Sequence, residues 1–148
     1  AKGQVSDLHG RLFDHQGRPL KGMRIEIWQC DANGRYRHPR DPGHAAIDPG
    51  FQGIGHSVTD AEGRYRFLTI KPVPYPGRTP HIHVAVLPEG AEPFVTQLYV
   101  AGEPRNADDF LYRRIPVERR RLVTAEFLPG EAPGTESMAR WDIVLGLA

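Results

Sequence analysis

Apolar and polar residues alternate in short bursts along this chain, and the bursts are separated by glycine, proline and aspartate. Arg-Ile-Glu-Ile-Trp (24–28) and Arg-Tyr-Arg-Phe-Leu (64–68) have a period of two, the signature of a strand buried on one face. Similar β-type runs cover Val5 to Phe13, Met23 to Cys30, Arg64 to Ile70, His81 to Leu87, Val95 to Val100, Leu122 to Phe127 and Arg140 to Leu145. Asp14-His-Gln-Gly-Arg and Asp60-Ala-Glu-Gly-Arg place Asp and Gly between such runs, which is turn chemistry. No sustained helical periodicity is present; the best short helix lies around Asn106 to Tyr112. Seven or more short strands with frequent turns predict an all-β fold, an antiparallel β-sandwich of about seven to nine strands with little helix. At 148 residues the chain reads as one domain spanning 1–148.

Two irregular stretches interrupt the pattern, Asp31 to Gly55 and Lys71 to Pro80. Loops of about 20 residues in a compact domain usually carry function. The second stretch is stiffened by Pro72, Pro74, Pro76 and Pro80, each of which fixes φ, so it is suited to holding one side chain such as Tyr75 in place.

Composition narrows the function classes. Nineteen basic and eighteen acidic residues give a net charge of +1, and they are interspersed, so no basic stripe points to nucleic acid. The Arg119 to Arg121 run reads as a solvated edge or loop. Cys30 is the only cysteine, which excludes a disulfide framework and a multi-cysteine zinc site, and its apolar neighbours predict a buried thiol. No stretch approaches the roughly 18 apolar residues of a membrane span, and no signal peptide is visible. A soluble protein is expected, in the cytoplasm, or in the periplasm if an upstream segment has been removed. There is no G-x-S-x-G elbow and no phosphate-binding P-loop.

His81-Ile-His83 is the sharpest chemical feature. On a strand, residues i and i+2 share a face, so the two imidazoles converge and form half of a metal site. An exposed polar face of an edge strand is the alternative. Cysteine cannot complete the site, and the nearest acidic residue in sequence, Glu89, lies past the strand end. Histidines 9, 15, 38, 44 and 56 are scattered through loops, whereas Tyr65 and Tyr99 sit in strand patterns as packing aromatics. Of the other tyrosines, 36, 75 and 112, Tyr75 lies in the rigid loop six residues before His81 and Tyr36 lies in the first irregular stretch. A phenolate is a hard anionic donor, and two phenolates with two neutral imidazoles and a hydroxide balance Fe(III) better than Zn(II) or Fe(II). A zinc or copper site on the histidines alone is a rival. So is a non-catalytic transthyretin-like binding module, whose D-x-x-G-x-P-L-x-G and T-D-x-x-G-x-Y-x-F signals this chain shares.

The ordered combination of G-R-P-L-K-G-M-R-I-E-I-W (17–28), G-R-Y-R-H (34–38), D-P-G-F-Q-G-I-G (48–55), T-I-K-P-V-P-Y-P (69–76), R-T-P-H-I-H-V (78–84) and T-Q-L-Y-V-A-G-E-P (96–104) resembles the intradiol ring-cleaving dioxygenases. The match is nearer the protocatechuate 3,4-dioxygenase branch than the catechol 1,2-dioxygenases. The resemblance implies a non-haem Fe(III) with Tyr36 and His83 equatorial, Tyr75 and His81 axial, and a hydroxide in the fifth position. It implies that Arg78 stabilises negative charge on a bound catecholate and that Gln97 orients Arg78. Trp28 and Asp41 match positions near the site. The implied substrates are a catechol-type diol (catechol, protocatechuate, hydroxyquinol or a substituted catechol) and O2, and the product is a muconate-type diacid, with Tyr75 displaced as the diol's protons are taken up. Family members are oligomeric, so a homo-oligomer is an expectation too. Gly77 departs from the branch, standing where a pocket-lining tryptophan is found, which implies a more open pocket. Arg40, Arg105 and Asp108 are candidates to meet a substrate substituent.

Overall fold

The computed structural model describes residues 2–36 and 46–146, so His38, Arg40, Asp41 and His44 lie outside the described residues. The strands form two facing five-stranded sheets. In the first, β1 (Val5–Phe13) pairs antiparallel with β4 (Arg64–Ile70) along one edge. Its other edge takes β9 (Ser137–Arg140) and then β10 (Ile143–Val144), both parallel, and β8 (Leu128–Pro129) adds beyond β9. The second sheet runs β3 (Ile54–Val58), β2 (Arg24–Trp28), β5 (His81–Leu87), β6 (Phe94–Val100), β7 (Thr124–Ala125). This is the expected sandwich, mostly antiparallel, with ten strands of which three have only two residues.

Side-chain alternation explains the layering. β1 turns Leu8 and Leu12 into the core and Asp7, His9 and Arg11 outward. β4 does the same with Tyr65 and Phe67 against Arg64 and Arg66. β5 lies in the middle of its sheet, so nearly all of it is buried, including Ile82, Val84 and Val86. Each fully buried Leu, Ile or Val contributes about 1.5–3 kcal/mol. Cys30 is buried, as expected.

Gly10 shows how closely the first sheet is drawn together. The chain departs from β9 at Trp141, whose N–H donates to His9 O (2.9 Å) and whose carbonyl lies across Gly10. A Cβ on Gly10 would fall 1.8 Å from Trp141 O. The Tyr65 hydroxyl donates to the same carbonyl at 2.5 Å, so a core aromatic covers the crossing.

Several elements differ from expectation for local reasons. The Arg140 to Leu145 run is interrupted at Trp141, and its strand begins earlier, at Ser137. The Leu122 to Phe127 run is a strand only at Thr124 and Ala125; its start belongs to a 3-10 helix over Val117–Val123. The arginine run lies in that helix, where Arg119 and Arg121 are solvated and Arg120 packs over the Tyr112 ring at 5.0 Å. The helix expected at 106–112 is two pieces, a 3-10 turn at Pro104–Asp108 and α1 at Phe110–Arg114. Asp109 divides them because its extended backbone and carboxylate cap α1. Ile54 to Val58, assigned in part to an irregular stretch, is an edge strand.

Candidate metal centre

Three turns of the same chemistry shape this molecule, and one of them delivers a site residue. In Asp14–Arg18 and Asp60–Arg64 the Asp carboxylate accepts from the backbone N–H two and four residues on, and the glycine N–H bonds back to the Asp carbonyl. Asp31-Ala-Asn-Gly-Arg35 repeats that pattern, with Oδ1 accepting from Asn33 N (2.9 Å) and Arg35 N (3.0 Å) and with Gly34 at φ +75°. The Asp31 Oδ2 atom also accepts from Asp48 N at 2.8 Å, clamping the far end of the loop. Tyr36 follows this turn directly.

The strand pair β2 and β5 sets the opposite wall. His81 and His83 project to one face of β5, and Trp28, the register partner of His83, stacks on its ring at 5.0 Å and 3°. The Tyr36 hydroxyl lies 3.3 Å from His81 Nε2 and 3.1 Å from His83 Nε2, and the two Nε2 atoms are 3.2 Å apart. Three donors each about 2.1 Å from one ion, at angles of 90–105°, would be separated by about 3.0–3.3 Å. Tyr75 meets the Tyr36 ring edge-on, with centroids 4.8 Å apart.

Protonation suits the same reading. Thr79 O lies 2.8 Å from His81 Nδ1, so Nδ1 carries the hydrogen and Nε2 presents its lone pair to the site. Burial lowers the His81 pKa and pushes that of His83 down to about 4, the second shift reinforced by the neighbouring His81 and Arg78 charges. Both rings are therefore neutral donors near pH 7. Among the described residues no three His, Cys, Asp or Glu side chains gather to hold a metal ion, and the oxygen that stands beside the two imidazoles is the Tyr36 hydroxyl.

Tyr75 and Arg78 are the ends of one turn. Arg78 N donates to Tyr75 O at 2.8 Å, Pro76 occupies the second position, and Gly77 at φ +79° the third, the requirement of a type II turn. Gly77 is thus a backbone necessity, and the space around its missing Cβ is open. The Arg78 guanidinium points NH1 at His81 Nε2 (3.4 Å) and donates through NH2 to Gln97 Oε1 (2.7 Å). Gln97 Oε1 also accepts from the Tyr99 hydroxyl at 3.0 Å, so Tyr99 serves the site as well as the core. A cleft of about 310 Å³ opens beside this cluster, lined by Pro74, Tyr75, Gly77, Arg78, Arg105 and Asp108 among others.

Two buried residues escaped sequence reasoning. Asp109 accepts from Arg78 Nε and Thr79 N at 2.8 and 2.9 Å. Asn106 accepts from the Thr79 hydroxyl at 2.7 Å and donates to Val100 O at 2.9 Å. Both steady the Arg78–His81 segment from 27 to 31 residues away. The only sequence signal was that two short polar residues, Asn106 and Asp109, flank a helix start.

A family model described as Dioxygenase matches residues 1–146. The protocatechuate 3,4-dioxygenase beta chain of Burkholderia cepacia is 41% identical over 153 residues, covering 97% of this chain and 65% of that protein. Hydroxyquinol 1,2-dioxygenase of Corynebacterium glutamicum is 34% identical over 71% of this chain and 39% of its own length. This chain therefore spans less than two thirds of the length of these curated relatives. Among solved structures, the dioxygenase domain of a dioxygenase carbohydrate-binding protein fusion from Streptomyces sp. SirexAA-E superposes with a TM-score of 0.75 at 33% identity, covering 99% of this chain and 82% of that one. With the sandwich, the tyrosine–histidine cluster and these matches together, the chain belongs to the intradiol ring-cleaving dioxygenase family.

Proposed function

We propose that this chain holds a ferric ion through Tyr36, Tyr75, His81 and His83 and opens a catechol-type ring between its two hydroxylated carbons, using O2 and giving a muconate-type diacid. The observation that carries this reading is the triangle of Tyr36 Oη, His81 Nε2 and His83 Nε2, with edges of 3.1–3.3 Å and Tyr75 packed against it. Two phenols and two neutral imidazoles are a donor set that fits a trivalent hard cation. When bound, ferric iron would act as Lewis acid to the diol oxygens and make the ring reactive toward O2.

The chain's own groups do the rest. His81 is held in one tautomer by the Thr79 carbonyl, and His83 is held in plane by Trp28. Tyr75, which lines the cleft, would be a phenolate while it holds the metal and would accept one of the diol's two protons as the diol binds. Arg78, fixed on Gln97, offers NH1 to negative charge that grows on the substrate oxygen. The relatives are named for protocatechuate, hydroxyquinol and catechol, which share a 1,2-diol ring, and that ring is the substrate class proposed.

The test is to load the purified protein with ferric iron and record its visible absorption, then measure O2 uptake with catechol, protocatechuate, hydroxyquinol and chlorinated catechols. A tyrosinate-to-iron absorption band is expected, altered in Tyr36→Phe and in Tyr75→Phe, with uptake on at least one diol. A protein that stays colourless with ferric iron overturns the reading. If colour appears but neither variant changes it, the ligand assignment fails.

A further inference from the structure

We propose that Asp109 is the positioning residue for Arg78, and that this buried carboxylate, as much as Gln97, decides where the guanidinium points. The inference rests on the functional reading above for its catalytic consequence, but its geometry stands apart from it. Arg78 has five N–H donors in a rigid fork. The Nε donor is tied to Asp109 Oδ2 at 2.8 Å, and NH2 divides between Gln97 Oε1 at 2.7 Å and Asp109 Oδ1 at 3.4 Å. Only the NH1 corner is left to face His81 Nε2 at 3.4 Å. The ion pair is dry, with side-chain exposures of 11% for Arg78 and 0% for Asp109, so its bonds keep most of their strength.

Charge gives the arrangement its purpose. Arg78 stands beside two imidazoles that are proposed to hold a trivalent cation, and an untethered guanidinium there would be driven out toward solvent. A carboxylate on the far side of the guanidinium offsets that repulsion and keeps NH1 turned inward. Gln97, being neutral, supplies direction without the charge. The Phe110 ring, with its centroid 5.7 Å from Arg78 Cζ, closes a further side.

The competing role for Asp109 is purely structural, because Oδ1 also caps α1 through Leu111 N (3.1 Å) and Tyr112 N (3.0 Å). The two roles separate by substitution. In Asp109→Asn one oxygen can still cap α1, but the amide NH2 then meets Arg78 Nε–H and Thr79 N–H donor to donor. Asp109→Ser keeps an N-cap hydroxyl and removes the charge, and serves if the asparagine variant does not fold.

Two readouts decide the matter. In the metal-free protein, 15N-arginine NMR, with Arg78→Lys for assignment, should show an Arg78 Nε–H shielded from solvent exchange. That signal should be lost in Asp109→Asn or Asp109→Ser while the melting curve stays cooperative. In the ferric-loaded protein, kcat should fall about 10- to 100-fold with a smaller change in KM. Adding Asp109→Asn to Arg78→Ala should lower kcat less than twofold further, because the carboxylate acts through the arginine. A shielded Nε–H signal that survives in both Asp109 variants overturns the proposal, as does an additive loss in the double variant. Absence of ring cleavage by the wild type would overturn the functional reading alone, since the NMR comparison still decides the position of Arg78.

Discussion

Replacing Gly10 with alanine tests the crossing of β1 and the Trp141 segment. The added Cβ would stand 1.8 Å from Trp141 O, 2.6 Å from Trp141 C and 3.1 Å from Tyr65 Oη. Two of these atoms are backbone, so no side chain can rotate away, and Trp141 is anchored by its own N–H to His9 O (2.9 Å) and its indole N–H to Leu122 O (2.8 Å). Relief requires the carbonyl to leave the Tyr65 hydroxyl. Overpacking costs about 1–3 kcal/mol, and the stranded buried hydroxyl about 1–3 kcal/mol more, so about 4 kcal/mol in total is expected. With a urea m-value of about 2 kcal/mol/M, the midpoint of unfolding should fall by about 2 M with m unchanged. In a thermal melt the same loss lowers Tm by about 8–16 °C. A midpoint within about 0.25 M of the wild type would refute the reasoning, because it would mean that the crossing relaxes at almost no cost.

Gly77→Ala is the contrasting case. Its Cβ meets nothing within 4 Å, so only the φ of +79° opposes it, and a loss of about 1–2 kcal/mol in urea unfolding is expected. Tyr65 predicts an alkaline transition. Burial, with the Asp142 charge adding to it, raises the phenol pKa well above 10.0 in the fold, so the unfolded chain ionises first. The contribution of Tyr65 is therefore complete below about pH 10 and is lost as pH rises beyond it, and Tyr65→Phe should flatten that limb of the stability–pH curve. Trp28 offers an optical probe, since only two tryptophans are present and Trp28 stacks on His83. Ferric iron should quench its fluorescence, and Trp28→Phe should remove most of that quenching; full quenching in the variant would place the metal elsewhere.

One geometric property links these tests to the proposed chemistry. The groups around the cluster are held from behind: His81 by Thr79, Thr79 by Asn106, His83 by Trp28, and Arg78 by Asp109 and Gln97. Such supports orient donor atoms, and losing one typically costs about 10- to 100-fold in metal affinity or activity.

Much of this molecule was legible from its residues alone. The bounds of Val5–Phe13, Arg64–Ile70 and His81–Leu87 agree with the apolar–polar pattern because strand periodicity depends only on neighbouring residues. The same local rule puts His81 and His83 on one face, and the Asp-x-x-Gly-Arg signature closes its turns within five residues. Tyr36 could have been placed by that signature too, since Asp31 to Arg35 repeats it. Contacts between distant segments were decided only by the tertiary structure. Nothing near Asp109 in the chain marks it as the partner of Arg78, 31 positions away, and nothing near Gly10 announces the Trp141 carbonyl, more than a hundred residues on. Leu122 and Val123 look like strand residues but lie in a 3-10 helix, and only Thr124 and Ala125 pair with β6. Residue type and spacing announce what a segment can form and which donors it offers. Closure of the two sheets decides which donors meet, because that depends on packing between segments that the local pattern does not record.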